Sequence, residues 1–188
     1  MSNTRQLDAN ASAEVLERAR DIQLLALDVD GVLSDGKLYF GNSGEEFKCF
    51  SILDGLGIKM LQDNGITVAI ITGRKSNIVE RRAHELSIRY VIQGREDKAS
   101  ALQEVLEATG LSMQQTAYMG DDLPDLGAIM LCRLGTTVAN GHNTVKDNAD
   151  WIASKNGGDG AVRELADLLL SAKGLLDSNI KSFFPKSS

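Results

Sequence analysis

Two pairs of aspartates stand far apart in the sequence. Asp28 and Asp30 lie in Leu27-Asp-Val-Asp-Gly31, and Asp121 and Asp122 open Asp-Asp-Leu-Pro-Asp125. Between them come Thr72-Gly73-Arg74 and Lys98, which opens the helix after the third expected strand. A lone Asp-x-Asp reads as a strand ending in a solvated turn, but the set has the parts of a reaction centre. Carboxylates gathered at one place repel unless a cation joins them. Hard oxygen donors without His or Cys suit Mg²⁺, which keeps waters that a phosphate oxygen replaces. The Thr72 hydroxyl and the amides of Gly73 and Arg74 are donors for a phosphate, and Lys98 neutralises charge on it. The chemistry these residues suit is phosphoryl transfer.

The roles divide by acid–base character. An Asp with an ordinary pKa of about 3.9 is an ionised nucleophile that needs no base, which suits Asp28. A second carboxyl must give a proton to the leaving oxygen and later take one from water, which suits Asp30. Asp121 is expected to hold Mg²⁺ with Asp28 and the backbone carbonyl of Asp30. Asp122 and Asp125 divide between a helix N-cap and a partner that orients a metal-bound water or Lys98.

These residues need a scaffold that delivers them to one place. A short apolar strand closed by carboxylates is expected from about Gln23 to Asp28, buried on both faces. Further strands are expected at 66–71, 89–92, 116–119, 133–138 and 149–152, with helices at 12–21, 54–64, 76–86, 97–109, from 122 or 123, and 162–172. Strands alternating with helices predict an α/β fold with a doubly wound, mostly parallel sheet. The three polar clusters then end the first, second and fourth strands and share the edge where ligands bind in such sheets. Residues 34–50 break the pattern: Lys37–Phe40 and Glu46–Phe50 flank Gly41-Asn-Ser-Gly44, which predicts a β-hairpin insert. This hairpin either overhangs the site or pairs with another subunit. Forty-three residues separate Asp28 from Thr72 and 25 separate Thr72 from Lys98, too few for a large cap domain. Residues 1–11 are expected to be loose, and the tail from about 175 to 188 flexible.

A length of 188 residues fits one domain. The net charge of −6 argues against a nucleic-acid partner. Cys49 and Cys132 form no CxxC pattern, so neither zinc nor a disulfide framework is expected. No apolar run reaches membrane-spanning length and no signal-peptide core is visible, so a cytoplasmic, membrane-free protein is expected.

The ordered set Asp28-Val-Asp30-Gly-Val, Thr72-Gly-Arg, Lys98 and Gly120-Asp-Asp-x-x-Asp125 resembles the four motifs of the haloacid dehalogenase phosphatase superfamily, over about residues 22–152. Leu27–Tyr39, Gly44-Glu-Glu-x-Lys48, Asp54-Gly-x-Gly-Ile58, Ile70–Lys75, Tyr118-Met-Gly-Asp-Asp-Leu123 and Gly157-Gly-x-Gly-Ala-Val-Arg-Glu164 resemble one family within it, the 3-deoxy-D-manno-octulosonate 8-phosphate phosphatases. That resemblance implies a Rossmann-like domain, an aspartyl-phosphate intermediate, Mg²⁺ and a sugar-acid phosphate substrate used in lipopolysaccharide precursor synthesis. It also implies a homotetramer built on the hairpin, with a neighbouring subunit closing the site.

Several residues keep two readings. Arg74 pairs with a substrate carboxylate or forms a surface ion pair. Arg163 reaches an anion or a nearby acid. Ser34, Asp35 and Lys37 touch the sugar or shape a turn. Phe183-Phe184-Pro185 docks on a neighbour or is disordered. Met60, Met119 and Met130 are expected in the core, His84 exposed and His142 in a loop or cap. Rival functions are a phosphatase of a sialic-acid-type 9-phosphate or another phosphosugar, a phosphomutase, and a non-catalytic oligomeric partner module.

Overall fold

A computed structural model describes residues 11–185. The expectation for residues 1–11 lies outside them except at its last position. The described elements, in chain order, are α1 (Ala13–Asp21), β1 (Leu24–Leu27), β2 (Tyr39–Phe40), β3 (Glu46–Phe47), α2 (Ile52–Asp63), β4 (Thr67–Thr72), α3 (Asn77–Glu85), β5 (Tyr90–Gln93), α4 (Lys98–Thr109), β6 (Thr116–Gly120), α5 (Leu126–Leu131), β7 (Leu134–Thr137), α6 (Asn143–Asn148), β8 (Trp151–Ile152), α7 (Ala161–Ala172) and α8 (Leu176–Lys181).

Six strands form one sheet in the order β5-β4-β1-β6-β7-β8. Every pair in it is parallel. β1 is central, with Leu27 opposite both Ile70 of β4 and Met119 of β6. Its four residues are all buried, because alternate side chains feed two apolar layers. Leu25 and Leu27 join Ile70 and Met119 in the layer under α1, α2, α3 and α7. Leu24 and Ala26 join Ile71 and Tyr118 in the layer under α4, α5 and α6.

Local chemistry fixes the ends of the helices. Ser12 caps α1 by accepting from the Val15 amide at 3.2 Å. Ser51 caps α2 and Asp97 caps α4 in the same way. Gly110 ends α4 in the left-handed conformation. Val15 and Ala19 of α1 and Val79 and Ala83 of α3 are buried as their spacing predicts, whereas Ile78 is only half-buried.

Other elements differ from the sequence reading. The hairpin is antiparallel, but each strand is only two residues long. Leu38, Tyr39, Phe40 and Phe47 on it are exposed. The stretch expected as a flexible tail begins with α8, because Leu176 is buried and Ile180 packs on the core. Phe183 and Phe184 remain exposed, and residues 186–188 lie outside the described residues. Met60 and Met119 are in the core, but Met130 is 65% exposed, because the short α5 buries only Ala128 and Ile129. Helix α6 has no counterpart in the sequence reading, since its six residues show no apolar period and bury only Val145. No helix among the described residues is long and apolar enough to cross a membrane.

The central strands supply most of the rigidity beneath the site. Ile70→Ala, in β4 and 1% exposed, is expected to lower unfolding stability by about 2–5 kcal/mol, measured by urea denaturation. An unchanged midpoint would show that this layer is not packed as described.

Candidate active site

The carboxyl ends of β1, β4 and β6 bring Asp28, Thr72 and Asp121 to one edge of the sheet. After β1 the chain makes a tight turn through Val29–Leu33, with Gly31 at φ 99°. Gly31 lies against the Asp121 carboxylate, so a side chain there would be excluded by strain and by space. Gly157 is pressed on the Gly31 carbonyl, and the Gly158 amide donates to the Val32 carbonyl at 2.9 Å. The glycine-rich segment before α7 therefore backs the turn that carries the aspartates.

Lys98, the first residue of α4, is 5% exposed and reaches both sides of the cluster. Its Nζ lies 2.7 Å from Asp28 Oδ1 and 2.7 Å from Asp125 Oδ1. Asp125 is 1% exposed and fully engaged. Oδ1 also accepts from the Tyr118 hydroxyl at 2.8 Å, and Oδ2 accepts from the amides of Asp121 and Asp122 at 3.2 and 3.3 Å. Asp122 is the N-cap, accepting from the Leu123 amide at 2.8 Å. Asp122 thus stands at the cap position and Asp125 against Lys98.

Asp28, Asp121 and Asp125 can each turn one carboxylate oxygen to within 4.8 Å of the others. All the donors are hard oxygens, which fits Mg²⁺. Both oxygens of Asp125 are already committed, so Asp28 and Asp121 remain as the side chains to hold an ion. The Asp30 carboxylate is not in this group, and the expected contact of Asp30 is through its backbone carbonyl.

Asp30 instead meets cations. Its Oδ1 forms an ion pair with Lys48, and its Oδ2 lies 3.8 Å from Arg74 Nε. Lys48, whose side chain is buried, also pairs with Glu46 at 3.4 Å. Lys48 has no role expected from the sequence, although Gly44-Glu-Glu-x-Lys48 in the hairpin is a visible signal. Arg74 Nη2 bonds Glu46 Oε1 at 3.1 Å, so the hairpin does overhang the site. Thr72 is buried, and its hydroxyl accepts from the Arg74 amide at 3.4 Å. Gly73 is half-buried. A polar cavity of about 610 Å³ opens beside this group, lined by Glu46, Lys75, Ser76, Asn77 and Gln93 among others.

The other candidates make contacts within the chain. Asp35 accepts from the Lys37 amide at 3.1 Å and from the Tyr39 hydroxyl at 2.7 Å, and Ser34 Oγ bonds the Val29 carbonyl at 3.3 Å and lies 3.5 Å from Asp30 Oδ1. Arg163 pairs with Asp167 at 2.8 Å, and its amide donates to the buried Asp54. His142 caps α6 through Nδ1, and His84 is exposed.

Electrostatics departs from the sequence reading at Asp28, which was expected to have an ordinary pKa. Burial, then the charge of Asp125, pushes it up to about 7 despite Lys98. Burial and Asp125 likewise push Asp121 up to about 7. At Lys98, burial favours the neutral amine, but Asp28 and Asp125 outweigh it and hold the ammonium above its usual range. One ammonium thus faces more negative charge than it neutralises, the setting in which a divalent cation binds.

A family model for haloacid dehalogenase-like hydrolases matches residues 90–165. The chain is 46% identical over 166 residues to 3-deoxy-D-manno-octulosonate 8-phosphate phosphatase KdsC of Escherichia coli (strain K12), covering 88% of each. The chain belongs to this phosphatase family. It is also 43% identical over 180 residues to KdsC of Yersinia pestis, covering 94% of this chain and 96% of the relative. A crystal structure of the family's phosphatase from Moraxella catarrhalis, in complex with magnesium ion, phosphate ion and KDO, superposes with a TM-score of 0.90 at 44% identity. That match covers 91% of this chain and 98% of the other. The cobalt-bound phosphatase from Haemophilus influenzae gives 0.82 at 41% identity, covering 85% and 93%. The doubly wound fold expected from the sequence is therefore the family's fold.

The raised carboxyls give a sign for pH dependence. Folded, Asp28 and Asp121 hold protons up to about 7, while unfolded carboxyls lose them near about 4. The metal-free folded state binds more protons across that window, so its stability falls as pH rises through it. Asp121→Asn is expected to flatten this fall, and Mg²⁺ to raise the melting temperature more at pH 8 than at pH 5. Thermal unfolding with EDTA or MgCl₂ measures both, and an equal Mg²⁺ effect at the two pH values would contradict the assignment.

Proposed function

We propose that this protein is a Mg²⁺-dependent phosphatase that hydrolyses 3-deoxy-D-manno-octulosonate 8-phosphate to the free sugar acid and phosphate. The observation that carries this reading is Lys98 shared at 2.7 Å between Asp28 and Asp125, with Asp121 in reach of the same ion. The relatives' names and the Moraxella catarrhalis complex support the substrate.

Asp28 attacks phosphorus and the bond to the sugar oxygen breaks, leaving an aspartyl-phosphate. Asp30 protonates the departing oxygen, then takes a proton from the water that attacks the same phosphorus and frees Asp28. Thr72 and the amides of Gly73 and Arg74 donate to the phosphoryl oxygens, and Lys98 balances their charge. Mg²⁺ bound by Asp28, Asp121 and the Asp30 carbonyl would neutralise the incoming phosphate and align it with the nucleophile. With a cation held there, Asp28 would have released its proton to solvent and would attack as the anion. Arg74 exchanges Glu46 for the sugar carboxylate, and the cavity beside it receives the sugar.

The exposed Leu38, Tyr39, Phe40 and Phe47 support assembly through the hairpin, since an isolated two-stranded hairpin is marginal in water. A homotetramer whose neighbouring subunit closes the site would exclude water without a large cap. The reaction would then be a cytoplasmic step in lipopolysaccharide precursor synthesis.

Asp28→Asn is expected to abolish phosphate release while leaving the thermal transition in place, and EDTA to silence the wild type until Mg²⁺ is restored. A panel of sugar phosphates is expected to rank 3-deoxy-D-manno-octulosonate 8-phosphate first. Preference for a sialic-acid-type 9-phosphate would move the assignment to that substrate, and activity surviving in Asp28→Asn would remove the nucleophile. Phe40→Asp is expected to shift the mass by light scattering towards the monomer, and an unchanged mass would discard the hairpin as the interface.

A further inference from the structure

Tyr118 is fully buried in β6, in the apolar layer that also holds Ala26, Leu102 and Ile129. A phenol in such a layer needs a partner for its hydroxyl. That hydroxyl donates to Asp125 Oδ1 at 2.8 Å, the same oxygen that accepts Lys98 Nζ at 2.7 Å. Asp125 has roughly four acceptor sites. Two on Oδ2 are taken by the amides of Asp121 and Asp122, and two on Oδ1 by Tyr118 and Lys98.

We propose that Tyr118 is a positioning residue for Lys98: its hydroxyl fills the second acceptor site of Asp125 Oδ1, so that the ammonium stays shared with Asp28 instead of settling on Asp125. An ammonium has three donors that rotate freely. Without the phenol, Asp125 Oδ1 would turn its full charge on Lys98, and the ammonium would shift towards Asp125 and away from Asp28 and its phosphoryl group. The phenol prevents this without adding charge. A second cation in its place would weaken the negative potential that Asp28 and Asp121 offer a divalent ion. Burial and both carboxylates raise the Tyr118 pKa, so the group remains a donor across the neutral range.

This inference rests on the phosphatase reading, and the test separates the two. Tyr118→Phe and Tyr118→Met both remove the donor, with different packing. Thr136→Val is the control, because Thr136 Oγ1 donates to the Tyr118 carbonyl at 2.9 Å and supports the same strand without touching the cluster. Each protein is assayed for its melting temperature, its Mg²⁺ affinity, and its kcat and KM on an aryl phosphate at saturating Mg²⁺. Both Tyr118 variants are expected to lose about tenfold in kcat, with KM and Mg²⁺ affinity within about twofold of wild type. Thr136→Val is expected to melt earlier and keep its kcat. Wild-type kcat in a folded Tyr118 variant overturns the proposal. So does a loss carried by KM or by Mg²⁺ affinity, or an equal kcat loss in Thr136→Val. A wild type with no phosphatase activity on any phosphomonoester fails the underlying reading instead.

Discussion

The site depends on placing like charges together and keeping them there. Asp28, Asp121 and Asp125 lie within reach of one ion, and a single ammonium, Lys98, stands between two of them. Removing one partner of such a buried group typically costs about 3–5 kcal/mol, because the charge left behind has no water to face. Here the protein leaves the imbalance in place, and the raised Asp28 and Asp121 are its signature. A site balanced by its own lysines would have little affinity for a cation. One short of balance binds a divalent ion and a phosphate together.

The fold offsets this arrangement with rigidity around it. β1 is buried on both faces and flanked by parallel neighbours, so the turn that carries Asp28 and Asp30 starts from a fixed point. Gly31 allows the turn to close on Asp121, and Gly157 lets the segment before α7 back it. Asp125 ties β6 to α4 through Lys98 and orders the amides around Asp121. On the open side, Lys48, Glu46 and Arg74 join the hairpin to Asp30. The closed half of the site is held by short buried contacts. The open half is held by ion pairs that a sugar acid could exchange.

Most of the scaffold was legible because each polar cluster closes an apolar run, and parallel strands place such ends on one edge. The split between Asp122 and Asp125 was not legible, since both follow Gly120 and only the direction of the first turn decides which one faces Lys98. Lys48 went unassigned because a lysine in a hairpin ordinarily reads as solvated, and only the fold buries its side chain against Asp30. Tyr118 reads as a strand residue, and nothing in Tyr-Met-Gly-Asp-Asp shows where its hydroxyl ends. The shift at Asp28 was missed for a related reason: an ordinary carboxyl pKa belongs to a solvated side chain, and this one is buried beside Asp125. Met130 and α8 show the reverse limit, where a short amphipathic segment does not reveal which face finds a partner.

In the proposed mechanism Asp28 takes the phosphoryl group while Lys98 and a divalent ion hold its charge. Rapid acid quench of the enzyme turning over its sugar phosphate with Mg²⁺, followed by peptide mass mapping, tests this most directly. A labile phosphoryl group is expected on the peptide carrying Asp28, absent without Mg²⁺. A phosphoryl group on any other residue, or turnover with none trapped under conditions that preserve acyl phosphates, would contradict it.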